Sequence, residues 1–219
     1  MKYLENIQSV AELQPDYLGF IFYEKSKRNF DGIIPELPTS IKKVGVFVNA
    51  PIDVVVDKIK SYKLQAVQLH GDETVQFCKE LRQAELVSVS HDEIPNQVRN
   101  KLEIIKVFSV DESFDFERTK EFEEACHYFL FDTKGKERGG TGITFDWNVL
   151  KNYNSTKPFF LSGGIGLDQV AAIKKLAKTD LPMYALDVNS KFELKPGLKN
   201  LEQLKEFKRN VITRSETTK

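Results

Sequence analysis

Cysteine is nearly absent from this sequence: two in 219 residues, Cys78 and Cys126, with no CxxC spacing. That excludes a disulfide-built scaffold and points to a reducing compartment. No apolar run reaches membrane-spanning length. The opening Met1-Lys2-Tyr3-Leu4-Glu5-Asn6 has no apolar core of a secretory signal, so a cytoplasmic protein is expected. A charge excess is missing as well. Lys plus Arg and Asp plus Glu are each 32, which argues against nucleic acid or an anionic membrane as the main partner. A balanced total still leaves room for a local phosphate site. Internal repeats and low-complexity stretches are absent too.

What is present is an alternation. Short apolar runs at 17–22, 43–48, 66–69, 103–110, 128–132, 158–162 and 183–188 read as strands buried on both faces, because most are continuously apolar. Helical spacing lies between them. Ile52, Val55, Val56 and Ile59 share one face, as do Val170, Ile173 and Leu176, and Leu201, Leu204 and Phe207. Asp146 before Trp147 reads as an N-cap. The stretch 86–100 reads as an insertion ahead of the strand at 103–110, with 86–89 as a rival strand. A helix after each strand implies a parallel sheet with right-handed crossovers, and this chain length suits a barrel.

A closed (β/α)₈ TIM barrel has eight strands, and seven are found here. The chain opens instead with a helix over 3–13, carrying Leu4, Ile7, Val10 and Ala11 on one face. The expectation is an α/β TIM barrel lacking strand 1, one domain over 1–210, then a polar tail over 211–219.

Active sites of such barrels lie where strands end. Asp132 closes the run at 128–132 and is a candidate acid or base; a solvated carboxylate is the bland alternative. The loop behind it, with Gly139-Gly140-Thr141-Gly142, reads as a lid, or else as a plain surface loop. Gly163-Gly164 ends the next run, and Asn189-Ser190 follows the last one. Exposed N–H groups, close backbone approach and a helix dipole suit a phosphate there, although a lone Gly-Gly is usually only a turn. Arg28 could fork a carboxylate; a surface arginine without a partner is the common alternative. His70, in Gln68-Leu69-His70-Gly71, reads more readily as a hydrogen-bonded structural group than as a catalyst. Cys78 falls in a helical pattern and is expected to point outward from the helical ring. Cys126 precedes a strand, at the end opposite the site, and both thiols read as packing residues.

Taken in order, several stretches resemble the phosphoribosylanthranilate isomerases. They are 16–22 with Ser26-Lys27-Arg28, Val44-Gly45-Val46-Phe47-Val48-Asn49, and Val67-Gln68-Leu69-His70-Gly71-Asp72-Glu73. Gly139-Gly140-Thr141-Gly142 leading to Phe145-Asp146-Trp147, Leu161-Ser162-Gly163-Gly164, and Pro196-Gly197-Leu198-Lys199 complete the set. The resemblance implies an enzyme of tryptophan biosynthesis. It would carry out the Amadori rearrangement of N-(5-phosphoribosyl)anthranilate to 1-(2-carboxyphenylamino)-1-deoxyribulose 5-phosphate, with neither metal nor cofactor.

By that resemblance Asp132 is the general acid, and Arg28 holds the anthranilate carboxylate. Gln68, His70, Gly140 and Asp187 line the substrate, while Gly163, Gly164, Asn189 and Ser190 hold the phosphate. The general base of the family is a cysteine in a Lys-x-Cys-Gly segment ending strand 1, just ahead of where this chain starts. A chain truncated there is expected to be impaired. Lys191-Phe192 stands where a Gly-containing pair is usual, and Asn200 where an aspartate is. Monomer or homodimer are both compatible. Two rival readings are a non-catalytic barrel that binds a sugar phosphate, and a related histidine-pathway barrel isomerase. The latter uses carboxylates at the ends of strands 1 and 5, which Asp132 does not match.

Overall fold

The computed structural model of the chain describes residues 1–88, 102–133 and 147–212. Each expected apolar run is a strand: β1 (Tyr17–Ile21), β2 (Lys42–Phe47), β3 (Ala66–Leu69), β4 (Glu103–Val110), β5 (Tyr128–Thr133), β6 (Phe159–Ser162) and β7 (Met183–Leu186). They form one seven-stranded sheet in sequential order, and every neighbouring pair is parallel. Among the described residues β1 and β7 are the two edges of this curled sheet.

Side chains alternate along each strand, and the two sets bury against different partners. Val44, Ala66, Ile105, Val107, Leu130 and Phe160 pack together on the concave face. The alternate positions, among them Phe47, Val67, Leu69, Ile104, Phe108, Phe129, Phe131 and Leu161, pack against the outer layer. Burial on both faces explains why the strands read as unbroken apolar runs.

The outer layer holds α1 (Leu4–Ala11), α2 (Ile52–Tyr62), α3 (Val75–Ser88), α4 (Val170–Leu176) and α5 (Leu201–Ile212). Helix α1 buries Ile7, Val10 and Ala11 against β1, with Phe20 and Phe30. Leu4 was expected on that face but is 51% exposed; Asn6 is buried in its place. Asn6 donates to the Lys199 carbonyl at 3.0 Å and accepts from the Lys199 N–H at 2.7 Å. This reciprocal pair ties the start of the chain to its far end.

Helix α3 runs through Ser88, so 86–88 is helical and not a strand; the rest of the expected insertion up to Asn100 lies outside the described residues. So does the Asp146 cap, and Trp147 opens a short 3₁₀ helix, Trp147–Asn152. Helix α5 continues to Ile212, two residues into the stretch expected as tail. One element was not foreseen: a hairpin of β8 (Glu193–Lys195) and β9 (Leu198–Lys199). It turns at Gly197, whose φ is 82°. A Cβ there would come within 2.7 Å of the Lys2 side chain, so the turn needs glycine twice over.

No helix among the described residues is long and apolar enough to cross a membrane.

Candidate active site at the C-terminal strand ends

Pairing β5 with β6 sets Asp132 beside Ser162. Both sit on the concave side at the end of their strands, because each lies two residues beyond a concave-face side chain, Leu130 or Phe160. Asp132 is half-buried, with Oδ2 3.5 Å from Nε2 of His70. That separation exceeds an ordinary hydrogen bond, so the pair is near but open. The other imidazole nitrogen of His70, Nδ1, lies 3.2 Å from Nε2 of Gln68 at the end of β3. Gln68, His70 and Asp132 therefore form one row across the ends of β3 and β5.

Next in the row are Ser162 and Asp187. The Ser162 hydroxyl donates to Asp187 Oδ2 at 2.9 Å. Burial pushes the Asp187 carboxyl above the ordinary carboxylate range. The Ser162 hydrogen bond and the Lys199 ammonium oppose the rise, and the nearby Asp132 charge adds to it. Two carboxylates thus share one cleft.

Gly163 and Gly164 follow directly, with φ of 94° and 64°. Residues other than glycine are strained in that region. A Cβ on Gly164 would meet no atom within 4 Å, so open space lies above the turn. Asn189 and Ser190 are exposed beyond β7. Asn189 Oδ1 accepts from the buried Lys199 ammonium at 2.6 Å.

Arg28 was expected either to hold a ligand carboxylate or to lack a partner, and in the structure it has a partner. Its guanidinium holds Glu193 through Nε at 2.9 Å and Nη2 at 2.6 Å. Glu193 also accepts from Lys199 at 3.1 Å and from the Gly197 N–H at 3.1 Å. Burial alone would raise the Glu193 carboxyl; Arg28 and Lys199 outweigh it and hold it below its usual value. The strong fork–fork geometry is already used inside the protein, 165 residues apart in sequence. Glu193 drew no notice in the sequence, and Lys199 drew it only within Pro196-Gly197-Leu198-Lys199, since neither follows an apolar strand.

The two thiols sit elsewhere. Cys78 and Cys126 are both buried in the layer between helices and sheet. Cys78 was expected to point outward; it faces the sheet because α3 is amphipathic and the thiol behaves as a small apolar group. The two side chains meet each other: a hydrogen bond from Cys126 lowers the Cys78 pKa, and the same bond with burial raises that of Cys126. Neither reaches the row of strand-end polar groups. Gly140 and the glycine-rich loop lie outside the described residues.

Fold and site together define a parallel β/α-barrel enzyme whose polar groups converge at the C-terminal strand ends, the functional face of such barrels. The N-(5'-phosphoribosyl)anthranilate (PRA) isomerase family model matches residues 1–210. The N-(5'-phosphoribosyl)anthranilate isomerase of Parabacteroides distasonis is 38% identical, over 97% of this chain and 90% of its own. The crystal structure of phosphoribosyl anthranilate isomerase from Thermotoga maritima superimposes with a TM-score of 0.74 at 30% identity, covering 96% of this chain and 95% of that one. A second such isomerase structure is a complex with reduced 1-(o-carboxyphenylamino)-1-deoxyribulose 5-phosphate. It gives a TM-score of 0.72 at 28% identity, with 95% and 93% covered. The chain belongs to the phosphoribosylanthranilate isomerase family, and it is an isomerase of tryptophan biosynthesis.

Proposed function

We propose that this chain acts on N-(5-phosphoribosyl)anthranilate, with Asp132 as the general acid. One observation carries the reading: Asp132, Asp187 and the positive-φ Gly163-Gly164 turn stand at successive strand ends of one concave face. Asp132 protonates the ribose ring oxygen, the C1′–O bond breaks, and a Schiff base forms with the anthranilate nitrogen. A base then takes the C2′ proton, and the resulting enolamine tautomerises to the 2′-ketone. The glycine turn, with Asn189 and Ser190, holds the phosphate through backbone N–H groups that a side chain would block. Gln68, His70 and Asp187 flank the sugar and the amine.

The anthranilate carboxylate binds Arg28 in this scheme only as a second carboxylate beside Glu193. Lys199, on the same Glu193 oxygen as one arm of the guanidinium, keeps that corner net cationic. A base for C2′ must come within about 2.6–3.2 Å of its proton, and both thiols of the chain are behind the sheet.

Two forms test the reading: residues 1–219, and the same chain extended upstream with Lys-x-Cys-Gly. Both should bind the reduced product analogue, followed by anthranilate fluorescence. The extended form should turn over N-(5-phosphoribosyl)anthranilate at least about 10²-fold faster, the scale of one general base. Equal turnover would remove the cysteine from the scheme. Failure of both forms to bind the analogue would remove the substrate. The protein is expected in the cytoplasm as a monomer or homodimer, with its solution mass deciding between them.

A further inference from the structure

A buried ion pair lies directly behind the loop that presents His70. Lys106 leaves β4 on the helix side of the sheet, and Glu73 stands near the end of the β3–α3 connection; they are 4% and 7% exposed. Lys106 Nζ is 3.2 Å from Glu73 Oε2. The same ammonium donates to the Gly71 carbonyl at 2.6 Å. Glu73 Oε2 accepts from the Gly71 N–H at 3.0 Å, and Oε1 from the Asn49 N–H at 2.8 Å. Gly71 is thus held at both of its backbone groups by one ion pair. Asn49, at φ 51°, accepts from the Asp72 N–H at 2.7 Å through its side chain. The residue between β3 and this clamped glycine is His70.

A buried ion pair is a poor device for stability. Desolvation offsets much of the attraction, and an apolar pair of the same shape often does as well. Its distinctive property is geometry: hydrogen bonds of charged groups fix directions more tightly than apolar contacts do. We propose that Lys106 and Glu73 are positioning residues that clamp Gly71 and Asn49 so that the imidazole of His70 is held against Asp132. The proposal rests on the reading in which Asp132 is the acid and His70 lines the substrate. It adds two residues that touch no substrate and lie on the opposite side of the sheet from it.

The test uses residues 1–219 and the variants Glu73→Gln, Lys106→Met and the double variant. Two quantities are read. One is the imidazole ¹⁵N–¹H NMR signals of His70, with Asp132→Asn marking where they fall when the carboxylate is lost. The other is the dissociation constant for the reduced product analogue. Each single variant leaves one buried charge unpaired, and its thermal midpoint should fall. The double variant leaves none, and its midpoint should recover toward wild type. In all three, the His70 signals should move toward their Asp132→Asn positions. Analogue binding should weaken about tenfold, the scale of one lost hydrogen bond. If the single variants do not fold, the double variant decides alone.

A purely structural pair gives a different pattern: His70 signals and affinity return to wild type together with stability in the double variant. That result overturns the proposal, as do unmoved His70 signals or an unchanged affinity in any folded variant. If the unmutated chain does not bind the analogue, the substrate reading fails, and the His70 signals still decide whether the clamp exists.

Discussion

At the N-terminal end of the sheet, Lys42 donates to Glu103 at 2.6 Å, and the Tyr17 hydroxyl donates to the other Glu103 oxygen at 3.0 Å. Tyr128 and Tyr184 stack beside them with ring centres 4.7 Å apart. At the C-terminal end, Asp132 Oδ2 comes only to 3.5 Å from the His70 imidazole, and burial raises the Asp187 carboxyl against the opposing Ser162 hydroxyl and Lys199 ammonium. One end has matched its charges to each other. The other keeps carboxylates close together and, among the described residues, incompletely paired, beside two glycines in a conformation other residues avoid. Incomplete pairing costs stability, and groups in that condition can exchange protons with a ligand. The physical contrast marks the C-terminal end as the candidate working face and the other as a closing face, without reference to any relative.

Removing a group from each end should therefore fail differently. The largest effect is expected for Asp132→Asn, measured as turnover in the form carrying the upstream cysteine. kcat should fall by roughly 10²–10⁴-fold, the range for general acid–base catalysis, with the thermal midpoint unchanged. Near-normal turnover would erase the distinction between the two ends.

Glu193→Gln comes second and sharpens the contrast from inside the working face, where this carboxylate is fully paired. It strands Arg28 and Lys199, and loss of one partner of a buried pair costs about 3–5 kcal/mol. Urea unfolding at pH 7 reads that loss. The pH dependence has a definite sign. The folded Glu193 pKa lies below its usual value, so its contribution is full above the unfolded value of about 4.3 and is lost as pH falls through the folded one. The gap between wild type and Glu193→Gln should narrow below that pH. A gap constant across the acid range would mean that Glu193 acts by packing and not by charge.

Gly164→Ala should cost on the order of 1 kcal/mol through its positive φ. It should raise KM for the phosphorylated substrate more than it lowers kcat, since a methyl group would enter the open space above the turn. A KM unchanged in a folded Gly164→Ala variant would move the phosphate elsewhere.

The smallest effect is expected for Glu103→Gln at the closing face. Lys42 there is substantially solvated, so the pair is worth about 1 kcal/mol or less, and turnover should stay at wild-type level. A catalytic defect in Glu103→Gln would show that the two ends are coupled.

Much of this architecture was legible in the residues. The strand at 66–69 and the one at 103–110 have the expected limits, because strands buried on both faces write an unbroken apolar run. Asp132 and Asp187 could be located because each stands where an apolar run ends. Arg28 illustrates what local reading misses: its type suggested carboxylate recognition, but not that Glu193, brought in by the β8–β9 hairpin, would pair with it. Cys78 went astray for a related reason, since a helical repeat does not say which face meets the sheet when a small thiol occupies the seam. Lys106 drew no notice, because a lysine inside an apolar run reads as an interruption and not as half of a clamp.

By itself the sequence determined the order of the seven barrel strands found among the described residues, their parallel direction and the helix that precedes them. Each follows from periodicity, chain length and strand-end composition, which are local properties. Only the tertiary structure decided the pairings: Asn6 with Lys199, Arg28 with Glu193, Glu73 with Lys106, Cys78 with Cys126, and His70 with Asp132. Hydrogen bonds and ion pairs reach only a few ångströms, and the curling of the sheet with its packed helices is what brings residues distant in sequence within that reach.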